Sequence, residues 1–406
     1  MKVEARTWRA WYHLNLLRWY GRNDGIPIVD NSLDPTEVYI GRNTVEECLD
    51  FLNREFDEIL NVQDEKAFPF LWDEGRRDRI CQAVVLAMKM DINLQFKKYD
   101  LAKAAAKRLI DSRAFELYYD TESEPSDLSA NYRNLFTYKG EQNKERIFFT
   151  KDGANDIWFR NMGTPLGGQG CAAPLKSLLD TYETIDGKTI QSLPASERQQ
   201  YEKNPLYKPR DPRLAASIVL PGAQYGSIVF IPANDQVPCG TRPRKYADIG
   251  NSDPDNCAIN QIVLRYADVL LMRAEALIEA NNLTDEVYTL INKVRQRVGM
   301  PTIQEAEGTN LSQEALRKIL RHERRVELFL EGMRYVDMLR WKDESLVHDV
   351  YGYNRTKLSD PSSPSTWQFE KVTVATREFD SAKGWLWPIP LTDMQNNDQL
   401  TQNPGY

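Results

Sequence analysis

The sequence contains few of the residues from which metal and thiol sites are built. Its 406 residues include three histidines and five cysteines. No two histidines are spaced as a ligand pair, and no two cysteines form a CxxC motif. We therefore expect neither a zinc site nor a disulfide framework, and we interpret His13 and the cysteines as core residues. We predict no metal and no cofactor.

Basic residues are not in excess, and no hydrophobic stretch is long. The 52 Lys and Arg against 59 Asp and Glu give a formal charge of −7. A nucleic-acid partner is not expected, because binding phosphates needs a basic surface. No apolar run approaches the roughly 20 residues of a membrane-spanning helix, and the N-terminus lacks a signal-peptide pattern. With 41% hydrophobic and 27% charged residues, the composition is typical of a globular protein.

Apolar residues at helical spacing fall in two groups, separated by a long region without that spacing. Thr44 and Glu47 form a capping box at the start of one predicted helix. Small residues at close-approach positions, such as Ala274 and Ala276, favour tetratricopeptide-type helical hairpins. The predicted helices are residues 2–20, 45–60, 77–98, 100–112, 261–280, 285–298 and a hairpin over 312–342.

The region between the two groups is dense in Pro, Gly, Asn and Asp and predicts loops, with one short helix over residues 174–182. Irregular structure of this length in a compact protein usually carries function. The predicted fold is therefore mainly α, a superhelix of helical hairpins with a large loop-rich insert. We divide the chain into N-terminal helices (1–117), the insert (118–260), C-terminal helices (261–342) and an extended C-terminal segment (343–406), and expect one compact unit.

Three stretches of the sequence resemble the SusD/RagB family in its own order along the chain. The first is ARTWRAWYHLNLLRWYG at residues 5–21, followed by IPIV. The second comprises LRYADVLLMRAEA at 264–276, NKVRQRVGMP at 292–301 and ERRVELFLEGMRY at 323–335. The third is LWPIP at 386–390 with the terminal QNPGY. The third is the most specific, because generic structure gives no reason for such a terminus to recur.

The resemblance implies a tetratricopeptide-like scaffold and a cell-surface lipoprotein without catalytic residues. Such a protein binds an oligosaccharide or another nutrient and covers a SusC-like TonB-dependent transporter in the outer membrane. Members of the family carry a lipoprotein signal, a lipidated cysteine and further helices before the first motif. Because this sequence shows none of them, we interpret Met1 as a truncation, and the outer-membrane location rests on the resemblance.

The insert contains the residues that we expect to contact a ligand. Trp158 is the predicted stacking platform, because an indole can cover the C–H face of a sugar. Polar neighbours are expected to read the hydroxyls, and three residues from later loops are further candidates. The neighbours are Asn155, Asp156, Arg160 and Asn161, and the later candidates are Tyr225, Arg242 and Tyr246. Trp72 is interpreted as a packing residue.

Charged clusters elsewhere are interpreted as structural. In residues 323–340 the acidic side chains are interleaved with arginines at i,i+3 and i,i+4, which favours an ion-pair network over a catalytic carboxylate pair. The loop containing Asp248, Asn251, Asp253 and Asp255 is interpreted as solvated, with a calcium site as the less favoured alternative. The glycine-rich residues 163–170 lack the Lys-Ser/Thr of a P-loop.

Two other functions compete with glycan capture. A tetratricopeptide-type scaffold could bind peptides in its concave groove, but the long aromatic insert and the specific terminus argue against it. A carbohydrate-active enzyme is less favoured, because no isolated acid pair or nucleophile motif stands out. We predict no catalytic residue.

Overall fold

The computed structural model describes residues 1–62, 64–151, 168–236, 239–247, 249, 257–360 and 366–406. Helices dominate it, which confirms the mainly α fold. They are α1 (Lys2–Tyr20), α2 (Val45–Leu60), α3 (Gln82–Gln95), α4 (Tyr99–Asp111), α5 (Ala130–Arg133), α6 (Lys176–Leu179), α7 (Ala195–Lys203), α8 (Arg213–Ser217), α9 (Tyr266–Glu279), α10 (Asp285–Gln296), α11 (Ile303–Glu307), α12 (Gln313–Glu327), α13 (Met333–Trp341) and α14 (Leu391–Asn396).

The strands are short and pair in twos. They are β1 (Arg146–Phe149), β2 (Ile218–Val219), β3 (Gln224–Tyr225), β4 (Ile228–Val229), β5 (Arg242–Pro243), β6 (Ile262–Arg265), β7 (Val350–Tyr353) and β8 (Lys371–Ala375). The antiparallel pairs are β1 with β6, β2 with β5, β3 with β4, and β7 with β8. Over the described ranges no helix is both long enough and apolar enough to cross a membrane.

Local signals fix several helix starts. The predicted capping box at α2 is present, with Thr44 Oγ1 accepting from the Glu47 amide at 3.2 Å and the Glu47 carboxylate accepting from the Thr44 amide at 2.8 Å. Ser312 likewise caps α12, accepting from the Ala315 amide at 3.2 Å.

Three predicted helix boundaries are wrong. Helix α3 begins at Gln82 instead of residue 77, because the amides of Gln82 and Ala83 donate to carbonyls of the preceding loop. The helix predicted over 261–280 begins only at Tyr266, since Ile262–Arg265 forms a strand with β1. The helix predicted over 174–182 is reduced to the four residues of α6.

One hydrophobic core joins the helices that precede the insert to those that follow it. Helix α3 is buried along its whole length, and α9, which follows the insert in the sequence, packs into the same cluster. Arg273 of α9 donates to the Lys103 carbonyl of α4 at 2.7 Å. The expected contact between the two groups is thus confirmed, while the four segment boundaries stay a prediction.

The interpretations of Trp72 and His13 are confirmed, and that of the cysteines is confirmed for four of the five. Trp72 is 6% exposed and donates from Nε1 to the Ile80 carbonyl at 2.8 Å, so it is a packing residue. His13 is also structural, with Nε2 accepting from the Val29 amide at 3.0 Å. Four cysteines are buried as expected, but Cys171 is exposed.

The C-terminal segment is tied to α1. The Trp387 amide donates to the Trp19 carbonyl at 3.1 Å, and the two indoles stack with centroids 5.1 Å apart. The side-chain amide of Asn403 links α1 to the C-terminal segment, because it donates to the Tyr20 carbonyl at 2.9 Å and to the Trp387 carbonyl at 2.7 Å. The LWPIP and QNPGY motifs therefore have a structural role, because they close the chain onto its first helix.

Candidate ligand-binding site

The central group of predicted ligand residues falls in a part of the insert that is not described. Trp158, Asn155, Asp156, Arg160 and Asn161 all lie outside the described residues. The chain is described again from Gly168 onward. The role of these five residues therefore stays a prediction.

Arg242 anchors the chain immediately after that part of the insert. Its guanidinium is fully buried, pairs with the Asp235 carboxylate, and donates to the carbonyls of Gly170 at 2.9 Å and Ala172 at 3.3 Å. Gly170 has φ +64°, and a Cβ there would lie within 2.5 Å of the guanidinium nitrogens. Arg242 therefore positions backbone in the structure, and its contact with a ligand stays a prediction.

Tyr225 and Tyr246 are also buried, at 1% and 6% exposure. Tyr225 packs edge-on against Phe230, with centroids 6.1 Å apart. Tyr246 packs against Phe136 at 5.1 Å, and its hydroxyl accepts from the Ile262 amide at 3.2 Å. Both belong to a hydrophobic cluster between the insert and the helices after it, and their contact with a ligand stays a prediction.

A buried ion-pair network fastens the insert to the C-terminal helices. Glu327 of α12 accepts from Arg265 at 2.6 Å and from Arg213 of the insert at 2.9 Å, and it also pairs with Arg297. Glu145 accepts from Arg265 at 2.7 Å. Burial would raise the pKa of Glu327, but the three arginines hold it well below the ordinary range. The carboxylate is therefore a fixed negative charge and not a proton donor.

A second buried acid, Glu183, belongs to the same network, but its pKa is raised where that of Glu327 is lowered. Glu183 of the insert accepts from Arg295 at 2.8 Å and lies 3.3 Å from Nε2 of His322. Burial raises the pKa of Glu183 to about 7, against the pull of Arg295. Burial also lowers the pKa of His322 to about 4, so that imidazole is neutral at pH 7.

A separate cluster connects α9, α12 and α13. Arg324 donates to Asp337 at 2.9 Å and to Asp268 at 2.9 Å. Arg340 donates to Glu275 at 2.6 Å, which confirms the prediction that residues 323–340 build a structural network. The sequence missed the partners that come from outside this segment, because such pairs have no fixed spacing along the chain.

Arg325 and Arg334 depart from that prediction. Both belong to residues 323–340, yet neither guanidinium pairs with a carboxylate in the described part of the chain. With Arg321, which also has no such partner there, they line a cleft of about 420 Å³ between the α12–α13 hairpin and residues 177–191 of the insert. A sequence signal was available, because Arg321 and Arg325 are like charges at i,i+4, an unfavourable spacing unless something else compensates them.

The described residues contain no group of three or more His, Cys, Asp or Glu that could hold a metal ion. The predicted acidic loop lies outside the described ranges at all four of its named residues, which are Asp248, Asn251, Asp253 and Asp255. The described side chains of the site offer a ligand charge and hydrogen bonds. Most of the buried carboxylates among them are already paired with arginines.

The known proteins that resemble this chain belong to one family. A profile described as the SusD family matches residues 115–406, which include the whole insert and everything after it. SusD-like protein P2 of Formosa agariphila is 30% identical over 168 residues. That match covers 40% of this chain and only 29% of the relative's length.

Solved structures share the fold over nearly the whole chain. A SusD-like protein from Bacteroides fragilis superposes with a TM-score of 0.83 at 24% identity, covering 100% of this chain and 79% of that one. A SusD-like carbohydrate-binding protein from the same species gives a TM-score of 0.81 at 25% identity, covering 98% of this chain and 79% of that one.

Proposed function

The chain belongs to the SusD family, and on that premise we propose that it captures oligosaccharides at the cell surface and passes them to a TonB-dependent outer-membrane transporter. The observation that carries the proposal is the family match, which takes in the whole insert and the helices that follow it. Carbohydrate binding by the similar protein from Bacteroides fragilis supports a glycan as the ligand.

The chemistry of the buried carboxylates supports binding without hydrolysis. A glycosidase needs one carboxyl that stays protonated and faces a second across an open cleft. Glu327 is instead held ionised by three arginines in the interior. Glu183 does have a raised pKa, but it is 6% exposed and pairs with Arg295, which leaves it no access to a glycosidic oxygen.

We further propose that Trp158 is the stacking platform of the glycan site and that Asn155, Asp156, Arg160 and Asn161 bind hydroxyls. The anchoring of Gly170 and Ala172 by Arg242 supports this proposal, because it fixes the chain from twelve residues after Trp158.

Calorimetric titration of an oligosaccharide tests this site. Trp158→Ala should weaken binding about ten- to a hundredfold, since it removes the apolar face that covers the sugar. Trp72→Ala is the matched control, because that buried indole should affect the melting temperature and leave the affinity of the folded protein unchanged. Unchanged affinity in Trp158→Ala would contradict the assignment.

The transporter is tested separately by co-purification. The protein, extended by any lipoprotein leader its gene encodes, should form a stable complex with a SusC-like transporter from the same organism in detergent. Failure to form a complex at micromolar concentrations of both would contradict the proposed delivery, while leaving glycan capture intact.

A further inference from the structure

The cleft between the α12–α13 hairpin and the insert contains an excess of positive charge. Arg321 and Arg325 come from α12 and Arg334 from α13. Arg325 donates to the Ser177 hydroxyl at 3.1 Å. Arg321 lies over the indole of Trp341, 4.4 Å from the ring centroid, and its buried Nε has no hydrogen-bond partner among the described residues. These guanidiniums therefore have donor capacity that the described part of the protein does not use.

The neighbouring arginines show that the excess is local to this cleft. Arg324 precedes Arg325 on the same helix and is bound by two carboxylates, Asp337 and Asp268. Arg340, on the same helix as Arg334, is bound by Glu275 and Asp337. The interior faces of α12 and α13 thus carry paired arginines, whereas the arginines toward the cleft have no carboxylate partner within the described ranges.

The acidic groups that line the cleft do not cancel this charge. Asp180 is engaged by Lys176 at 2.6 Å, and Asp343 offsets at most one of the three arginine charges. His322 is neutral at pH 7, as its lowered pKa shows. Burial and the nearby Arg334 lower the pKa of Arg325 to about 10, as expected where cations face each other without an anion between them.

The shape and chemistry of the cleft indicate what it accepts. A volume of about 420 Å³ lies within the range of small-ligand sites. Guanidinium groups match the planar oxygens of a carboxylate or the oxygens of a sulfate through paired hydrogen bonds. Thr181 and Gln191 also line the cleft and suit the hydroxyls of a sugar.

We propose that this cleft binds the carboxylate or sulfate group of an acidic saccharide, as a site separate from the Trp158 platform. The proposal deepens the proposed function, because it rests on glycan capture and specifies that the glycan is anionic. The chain as a whole has a formal charge of −7 and does not attract anions in general. Binding of an anion in this cleft therefore depends on the local arginines.

Calorimetric titration with a galacturonic acid trisaccharide, a sulfated galactose oligosaccharide, neutral maltotriose and sodium sulfate tests the proposal. At least one acidic saccharide should bind more tightly than maltotriose and sulfate. The Arg321→Gln/Arg325→Gln double variant should weaken that binding about ten- to a hundredfold. The fold should survive, because removing these arginines leaves no carboxylate of the described residues unpaired. Arg108→Gln, an exposed arginine of α4, removes a charge elsewhere and should change nothing.

The other outcomes separate this proposal from the one on which it rests. Failure of both acidic saccharides to bind, or equal binding by the double variant, overturns the cleft as an acidic-saccharide site. If maltotriose still binds in that case, glycan capture stands. Arginine-dependent binding of sulfate as tight as that of either saccharide would mean an inorganic-anion site and also overturns the proposal.

Discussion

Glu327 lies at the point where the insert and the C-terminal helices meet. It is fully buried and pairs with Arg213, Arg265 and Arg297, which come from three separate places in the sequence. A buried charge network of this kind adds little to stability compared with apolar packing, but removing one partner leaves the others uncompensated. The network therefore specifies how the insert docks.

Replacing Glu327 tests that interpretation. Glu327→Gln should lower the free energy of unfolding by about 3–5 kcal/mol, because three guanidiniums lose their shared carboxylate in the interior. Urea unfolding followed by circular dichroism measures the change. Glu314→Gln, which removes an exposed carboxylate of the same helix paired with Lys318, should have little effect. A Glu327 variant as stable as wild type would show that the network is not required.

Glu183 gives the network a dependence on pH. Because burial raises its pKa from 4.5 to about 7, the folded protein holds this proton more tightly than the unfolded chain. Its contribution to stability is therefore largest below pH 4.5 and declines as pH rises to about 7.

Glu183→Gln removes this titration. The stability of the variant relative to wild type should rise by up to ~3 kcal/mol between pH 4.5 and pH 8. Unfolding free energies measured across that range test it, and the exposed Glu202→Gln controls for the loss of a surface charge. A difference between variant and wild type that does not change with pH would contradict the raised pKa.

At the scale of elements, the connection between α1 and α2 depends on one glycine. Gly25 has φ +72°, and a Cβ there would lie 2.0 Å from the Asn43 carbonyl oxygen and 2.7 Å from a Thr44 backbone carbon. Neither backbone atom can move without disturbing the capped start of α2.

Gly25→Ala should therefore cost roughly 3 kcal/mol or more of folding free energy. Gly332→Ala is the matched control, because Gly332 has φ +76° in the left-handed region but no atom of the described residues lies within 4 Å of the position that its methyl group would take. It should cost only the backbone strain, about 1–2 kcal/mol. Equal losses in the two variants, measured by chemical denaturation, would mean that the contact with residues 43 and 44 is unimportant.

What the sequence predicts about these elements depends on whether the signal is local. The capping residues and apolar spacing of α2 and α4 lie within the helices themselves, and both predicted ranges agree with the structure to within a residue. Ile262–Arg265 is as apolar as the helix that follows, so only its pairing with β1 makes it a strand. The same limit applies to the site, where Arg242 binds the Gly170 carbonyl and Tyr246 packs against Phe136, both distant in the sequence.

At the scale of the whole molecule, a shared helical core supports an insert that is fastened to it by buried charges. Helices from both sides of the insert contribute to one hydrophobic cluster, and the terminal motif closes onto α1. Such a scaffold holds the described part of the insert, including its side of the arginine-lined cleft, against the C-terminal helices. That is the arrangement expected of a binding protein, whose ligand contacts lie on loops held by a rigid frame.

The most direct test of this account is a glycan-array screen of the protein followed by recovery of whatever binds. The account predicts saturable binding of at least one oligosaccharide class, confirmed by calorimetry, with the saccharide recovered at its original length after prolonged incubation. Binding to no saccharide on the array, or recovery of shortened products that carry new reducing ends, would contradict it.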